Sequence, residues 1–476
     1  MICSVSAPIL LEGWCRQAPD VVVRGISTDA GAVEPGHAYL ALNHKNTDGA
    51  AAAAEAHARG AALLIHDGLN EAPPLDIPSV GVPGLERRVS SLAARFYRHP
   101  GEQLSLAGVT GSHGTGAVSH YLAQSWQRVN GNAGLVAAAG CGPFNKLEPS
   151  GSAVTDPVRL QRALFDCVDH GVENVALEAS ATALEAGHLD QLAFDVAVFT
   201  NLGHGHPDYH GSTEAYESAM QRLFVDCLPR FAVLNHDEAA GKTLSRRVHA
   251  GTQVLTYGTH GSTELHGAVL GMDAGGMRIS ISSPWGGGEI RTGLLGSRNL
   301  SHLLAAAGSL ALMGMPWNRV MHQLEIMRAE PGRMNGIGGE GMQPVAVIDR
   351  ACTPQALEDV LVSLRSHLHG RLISVIGGGF GRQMMAQVAE SLADRVVITS
   401  DSGQDECPAA VFNDMLTGMK NPDAAQVVAS RAEAIQQALG ECGRGDIVLI
   451  AGMGQGGKAT AFSDESMVRE LLEEAA

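Results

Sequence analysis

The chain has 476 residues, too many for one ordinary core, and carries 50 acidic against 33 basic side chains, a formal net charge of −17. That charge repels polyanions and argues against a nucleic-acid role. Hydrophobic residues make up 45% of the chain but form no run approaching the roughly 20 residues of a membrane span, so the expectation is a soluble, globular protein without membrane insertion.

The N-terminus, M-I-C-S-V-S-A-P, shows no basic segment leading into an apolar one, and a cytoplasmic location is expected by default. Residues 1–100 alternate short apolar runs (V-V-V at 21–23, A-Y-L-A-L at 38–42, A-A-L-L-I at 61–65) with an Ala-rich helix over 49–59, which predicts a small α/β domain. His99, Pro100 and Gly101 form a joint. From 101 to 330 apolar runs recur at 104–109, 174–179, 196–202 and 231–235 between amphipathic segments, the pattern of a mostly parallel sheet. An insertion over 252–292, with period-two stretches such as M-R-I-S-I-S, reads as antiparallel. A helix over 299–313 closes this part, and Pro331-Gly332 breaks the chain. Residues 331–476 hold four more apolar runs, each followed by a helical pattern, and read as a Rossmann-like sheet. The G-G-G at 377–379 is a weak dinucleotide signal, because G-x-G-x-x-G is incomplete.

The stretch most loaded with chemistry is G-V-T-G-S-H-G-T-G-A at 108–117. It follows an apolar run and leads into a helix, the frame of a phosphate-binding loop, with Gly108, Gly111 and Gly114 where the main chain must approach an anion. The working motif G-x-x-x-x-G-K-[ST] then needs a Lys for the outer phosphates and a hydroxyl for Mg²⁺. Those places hold Thr115 and Gly116, and a tight turn that binds no phosphate explains the glycines better. Eight cysteines show no C-x-x-C pair and no zinc-ligand spacing, and read as reduced, mostly buried thiols. His204, His206 and His210, with Asp208, form a histidine-rich loop; a zinc reading lacks an outside ligand.

Taken with P-G-H-A-Y-L-A-L at 35–42, F-T-N-L at 199–202, H-P-D-Y-H-G at 206–211, L-L-G-S-R-N-L at 294–300 and P-G-R-M at 331–334, the chain resembles the Mur ligases of peptidoglycan precursor synthesis, nearest the UDP-N-acetylmuramoyl-tripeptide synthetases. The resemblance implies a three-domain α/β architecture: a uridine-nucleotide domain (1–100), a central ATPase domain (101–330) and a Rossmann-like domain (331–476). It also implies an ATP- and Mg²⁺-dependent, amide-forming activity, and several of its motifs depart here. The family's E-x-S-S-H keeps Glu178 as a metal ligand but has Thr182 for the His. The carbamylated lysine that helps to hold a second metal is Met220, which reads as core packing beside Leu223 and Phe224. D-S-R is Asp29-Ala30-Gly31, and T-T-G is Pro149-Ser150-Gly151. The D-N-P-R that reads a diamino acid is Asp401-Ser402-Gly403-Gln404, G-K-G-H-E is G-M-G-Q-G at 452–456, and D-Y-A-H is Asp349-Arg350-Ala351-Cys352. Asn235 and Asp237 persist at the position of the adenine, His206 at the metal, and Arg333 and Asp349 at the ribose and phosphate.

These departures lead to an expectation of a degenerate phosphate loop in an inactive member of the family, a pseudoenzyme rather than an enzyme. Its nucleotide and metal positions would be vestigial, it would use no cofactor, and it would be kept for binding a protein partner or small molecule. The alternatives are an active ligase that uses ATP and Mg²⁺ to add an amino acid to a UDP-MurNAc-peptide or related carboxylate, with Arg350, Lys458 or another cation replacing the loop lysine, and a small-molecule sensor or carrier.

Overall fold

The computed structural model describes residues 4–42, 49–67, 75–150, 156–203, 210–339, 341–400, 407–452 and 464–474. The chain divides into two compact units, Met1–Tyr257 with Gly308–Met315, and Gly258–Ala307 with Pro316–Ala476.

Besides a short antiparallel pair, Val5–Ser6 with Val22–Val23, the first unit carries two larger sheets. The smaller is the parallel set β1 (Gly25–Ser27), β2 (His37–Ala41), β3 (Leu63–His66) and β4 (Ser79–Gly81), in that order, backed by helix α1 (Leu85–Phe96). Its core gathers Leu40, Ile65, Leu92 and Phe96, together with Val158 and the half-buried Phe165 from a later helix. That helix, α3 (Pro157–Asp169), starts where Asp156 accepts the N–H groups of Val158 and Arg159 and Pro157 takes the first position, both favourable at a helix start. The free oxygen of Asp156 also takes the Thr28 hydroxyl at 3.0 Å, and the Ser90 hydroxyl donates to His188 O at 2.8 Å. Early and later segments are thus joined by polar and apolar contacts.

The larger sheet has the order β11-β10-β9-β5-β8-β6-β7, where β5 is Ser105–Thr110, β6 Ala133–Ala137, β7 Gly140–Pro143, β8 Asn174–Glu178, β9 Val196–Phe199, β10 Phe231–Asn235 and β11 Gln253–Gly258. All its pairings are parallel except β6 with β7. Every residue of β6, β9 and β10 is buried, as strands covered on both faces must be, which explains their unbroken apolar runs. The edge strand β7 escapes the sequence pattern because G-C-G-P has no alternation. Between β5 and β6 lies helix α2 (Thr115–Asn130), and α4 (Thr213–Val225) precedes β10. Helix α2 stops at Gly131, whose φ of +76° supplies the left-handed cap.

The second unit holds the antiparallel strands β12 (Leu265–Asp273), β13 (Gly276–Ser283) and β14 (Gly286–Thr292), in the expected insertion. It also holds a six-stranded sheet with the order β15-β16-β20-β17-β18-β19. Those strands are β15 Asn335–Gly338, β16 Val345–Ile348, β17 Leu372–Ile376, β18 Arg395–Ile398, β19 Gln426–Val427 and β20 Ile447–Ala451; only β15 runs antiparallel. Beyond β20 a buried ion pair joins Arg431 to Asp464, Nε to Oδ1 at 3.0 Å and Nη2 to Oδ2 at 2.9 Å, while Nη2 also donates to Ala451 O. Among the described residues no helix is long and apolar enough to cross a membrane. Of the described cysteines only Cys167 is fully buried and Cys407 is exposed; the others are half-buried, less than expected, because they sit at the margins of the cores.

Candidate functional site

In parallel α/β sheets ligands bind beyond the carboxyl ends of the strands. In the first unit that edge carries the loop from Gly111 to Gly114 between β5 and α2. Gly111 has φ +144°, and a Cβ on it would lie 2.0 Å from Thr200 Oγ1, so no other residue fits without displacing the loop. Gly114, at φ +81°, turns the chain into α2. Gly108 lies within β5, where an added Cβ would strike the Phe194 ring at 2.8 Å. Its smallness therefore serves helix and sheet packing, whereas Gly111 and Gly114 shape the turn.

The loop is fastened to the end of β9. Ser112 N–H donates to Asn201 O (3.0 Å) and His113 N–H to Asn201 Oδ1 (2.9 Å), while Asn201 Nδ2 and Thr200 Oγ1 each donate to His113 O at 2.8 Å. The Ser112 hydroxyl takes Gly203 N–H at 2.7 Å and meets the Tyr216 hydroxyl at 3.1 Å. Two loop N–H groups are used in this way. Those of Thr115, Gly116 and Ala117, in the first turn of α2, find no acceptor among the described residues and form an electropositive end suited to anionic oxygen.

Beside them lies Glu178, the last residue of β8, paired in register with Val109 of β5. Thr115 Oγ1 donates to Glu178 Oε1 at 2.6 Å, and Ala138 N–H donates to Oε2 at 2.9 Å. Thr115 is 9% exposed, so its hydroxyl is directed to the carboxylate and not to solvent. Gly116 contributes only backbone. The buried Ser150 supports the same corner by donating to Ala138 O at 3.0 Å. Thr182 bonds Ser180, the residue that caps the short helix after β8.

The other expected positions separate into distinct surroundings. Asn235 is buried at the end of β10, donates to Thr200 O at 2.7 Å and accepts Asp237 N–H at 3.0 Å, so its amide braces two strand ends. Met220 is 1% exposed and packs with Leu223 and Phe224 in the core of the first unit. His210 Nδ1 lies 2.7 Å from Glu185 Oε2, with its ring 5.1 Å from that of Tyr216. In the second unit Asp349 directly follows β16 and is buried, accepting Met334 N–H at 2.8 Å and Ala351 N–H at 2.9 Å. Burial pushes its carboxyl pKa up, and these N–H groups with Arg333 and Arg350 pull against that rise. Arg333 is exposed, and the Arg350 side chain lies over Gly332, where an added Cβ would be 2.7 Å from its Nε. His206, Asp401, Ser402, Gly403 and Gln404 lie outside the described residues, as does Lys458.

The donor set at the first-unit edge fits a divalent cation carrying phosphate. Glu178 and Thr115 offer hard oxygen atoms, and Mg²⁺ is commonly held by one or two carboxylates plus ligand phosphates and water. Among the described residues no three His, Cys, Asp or Glu converge, so an all-protein metal cage is not formed there. The Thr115–Glu178 bond and the Asn201 brace were missed from sequence. The F-T-N-L segment that contains Asn201 was the available signal.

A model of the Mur ligase middle domain matches residues 109–310, and one of the Mur ligase glutamate ligase domain matches residues 332–454. The UDP-N-acetylmuramoyl-L-alanyl-D-glutamate–2,6-diaminopimelate ligase of Pseudomonas putida is 36% identical over 482 residues, covering 96% of this chain and 97% of that protein. Its counterpart from Pseudomonas aeruginosa is 37% identical, covering 94% and 93%. A solved structure of a ligase of the same name aligns with a TM-score of 0.73 at 27% identity, covering 100% of this chain and 99% of that one. MurF from Acinetobacter baumannii aligns with a TM-score of 0.65 at 17% identity, a likeness of fold alone.

These relatives overturn the expectation of an inactive pseudoenzyme with a degenerate loop, kept only for binding: proteins alike almost from end to end are named as ligases. The expectation that no cofactor is used loses its support with it. The physical flaw lay in counting lost side chains one position at a time. Thr115 scores as a missing cation in such a count, yet its hydroxyl is bonded to the retained carboxylate.

Proposed function

Because the chain belongs to the Mur ligase family, we propose that it is an ATP- and Mg²⁺-dependent ligase joining an amino acid to the carboxylate of a UDP-N-acetylmuramoyl-peptide or related substrate. The single observation that carries this reading is identity above 30% to named ligases over nearly the whole of both chains. The relatives' names make UDP-N-acetylmuramoyl-L-alanyl-D-glutamate and 2,6-diaminopimelate the first pair to test. A cytoplasmic location belongs to the same reading.

Bound at the first-unit edge, Mg·ATP would supply the phosphoryl group that activates the carboxylate, with ADP, phosphate and an amide as the balanced products. The chain's own part is positional and electrostatic. The first-turn N–H groups of α2 would receive the phosphate oxygens, the Gly111 turn would let the main chain approach them, and Glu178 with Thr115 would offer oxygen to the cation. Asn201 and Thr200 hold the loop in place through four hydrogen bonds to Ser112 and His113.

The test is incubation of the purified chain with ATP, Mg²⁺, the UDP-peptide and a panel of amino acids, reading ADP release and product mass. ADP formation that requires both organic substrates and is lost in Glu178→Ala supports the reading. Absence of product and of ADP across the panel refutes it.

A further inference from the structure

We propose that Thr115 is a positioning residue that fixes the Glu178 carboxylate while leaving its negative charge uncompensated, so that the site takes nucleotide almost only as its divalent-cation complex. The inference rests on the ligase reading and deepens it.

The geometry sets the argument. An O–H to carboxylate distance of 2.6 Å lies in the range of charge-assisted hydrogen bonds. The second oxygen is held by a backbone N–H at 2.9 Å from a different element, the turn after β6. Two donors from two directions fix the plane of the carboxylate, and each oxygen keeps a lone pair. With its O–H donated to Glu178, the Thr115 oxygen keeps acceptor capacity. No basic side chain bonds Glu178 among the described residues.

A lysine at 115 would cancel this charge within a few ångströms, and a threonine orients the carboxylate without cancelling it. The pair therefore has a net charge of −1. The Glu178 carboxylate repels the outer phosphates of free nucleotide, against the pull of the first-turn N–H groups, and attracts a divalent cation carried by the nucleotide. A neutral hydroxyl in place of a cation changes which ionic form of the nucleotide is admitted.

The experiment is calorimetric titration of ATP into the full chain with Mg²⁺ and, separately, with chelator, together with paramagnetic measurement of Mn²⁺ retention in the presence of ATP. Wild type, Thr115→Val, Thr115→Ser and Thr115→Lys are compared, with thermal unfolding of each as a check on folding. The expected result is wild-type binding at least tenfold tighter with the metal than without it. Thr115→Val should weaken Mn²⁺ retention five- to tenfold, and Thr115→Ser should stay within twofold of wild type. Thr115→Lys should narrow the ratio of metal-bound to metal-free affinity by tenfold or more. Wild type that binds Mg·ATP, with Thr115→Val indistinguishable from it, overturns the positioning role and leaves the ligase reading standing. Wild type that binds ATP equally with and without metal overturns it as well. Wild type that binds no nucleotide in either form sinks the ligase reading and the proposal with it.

Discussion

Lowering the pH should destabilise the first unit through one side chain. His120, on helix α2, is 7% exposed, its ring lies 5.2 Å from that of Phe144, and the Gln124 amide donates to its Nε2 at 3.1 Å. Burial first, and the Arg128 charge second, lower its pKa from 6.5 to about 4. The folded chain therefore keeps this ring neutral, while the unfolded chain takes up a proton below pH 6.5. The unfolded state binds more protons between pH 6.5 and about 4, so stability is complete above that window and is lost as pH falls through it. The drop of about 2.5 at about 1.4 kcal/mol for each unit gives about 3 kcal/mol, with about 2 kcal/mol of it gone by pH 5. Urea unfolding at pH 7, 5 and 4, followed by the fluorescence of Trp126 on the same helix, should be compared between wild type and His120→Gln. The variant retains a hydrogen-bonding partner for Gln124 but cannot titrate, so the wild-type advantage at pH 7 should shrink by about 3 kcal/mol at pH 4. Equal pH slopes in the two proteins would refute the reasoning.

Other parts of the structure give equally direct expectations. Arg431→Met strands the buried Asp464 carboxylate and should cost about 3–5 kcal/mol in denaturant unfolding; a loss below about 1 kcal/mol would show that the pair is solvated. Gly111→Ala forces a Cβ against Thr200 and should cost roughly 1–3 kcal/mol from backbone strain alone, with loss of Mg·ATP binding by calorimetry; retained stability and binding would count against the turn as drawn. Met220→Ala should cost about 2–5 kcal/mol in thermal or chemical unfolding, and Met220→Leu less than about 1.5 kcal/mol. Equal effects of those two changes would argue against simple packing at that position.

Much of the fold was legible because fully covered parallel strands announce themselves as unbroken apolar runs. V-A-V-F and F-A-V-L-N became β9 and β10, and the period-two stretch over 277–282 became part of β13. The antiparallel edges β7 and β15 were not legible: G-C-G-P and N-G-I-G contain too few side chains to show a period, and their pairing is set by neighbours already in the sheet. At the site, Met220 was readable from helical spacing as a packing residue. Thr115 was not, because its role depends on a carboxylate 63 positions away that only the β5–β8 pairing brings alongside. Asn235 shows the same limit in reverse. It stands at a nucleotide position by motif, but in the folded chain its amide bonds Thr200 O and Asp237 N–H.

The apolar boundary between α1 and α3 has a consequence for the chain as it is made. Val158 completes the core of the small N-terminal sheet, Phe165 packs against it, and Tyr97 meets the Phe165 ring at 5.8 Å. During translation these partners are absent when residue 100 has been added, and at ~5–20 residues per second they follow roughly 3–14 s later. For that interval the nascent segment presents an uncovered greasy flank, which makes it a natural client for holding chaperones. Docking onto α3 then covers that flank. Slowing the ribosome between codons 101 and 169 should lengthen that dependence, and speeding it should shorten it.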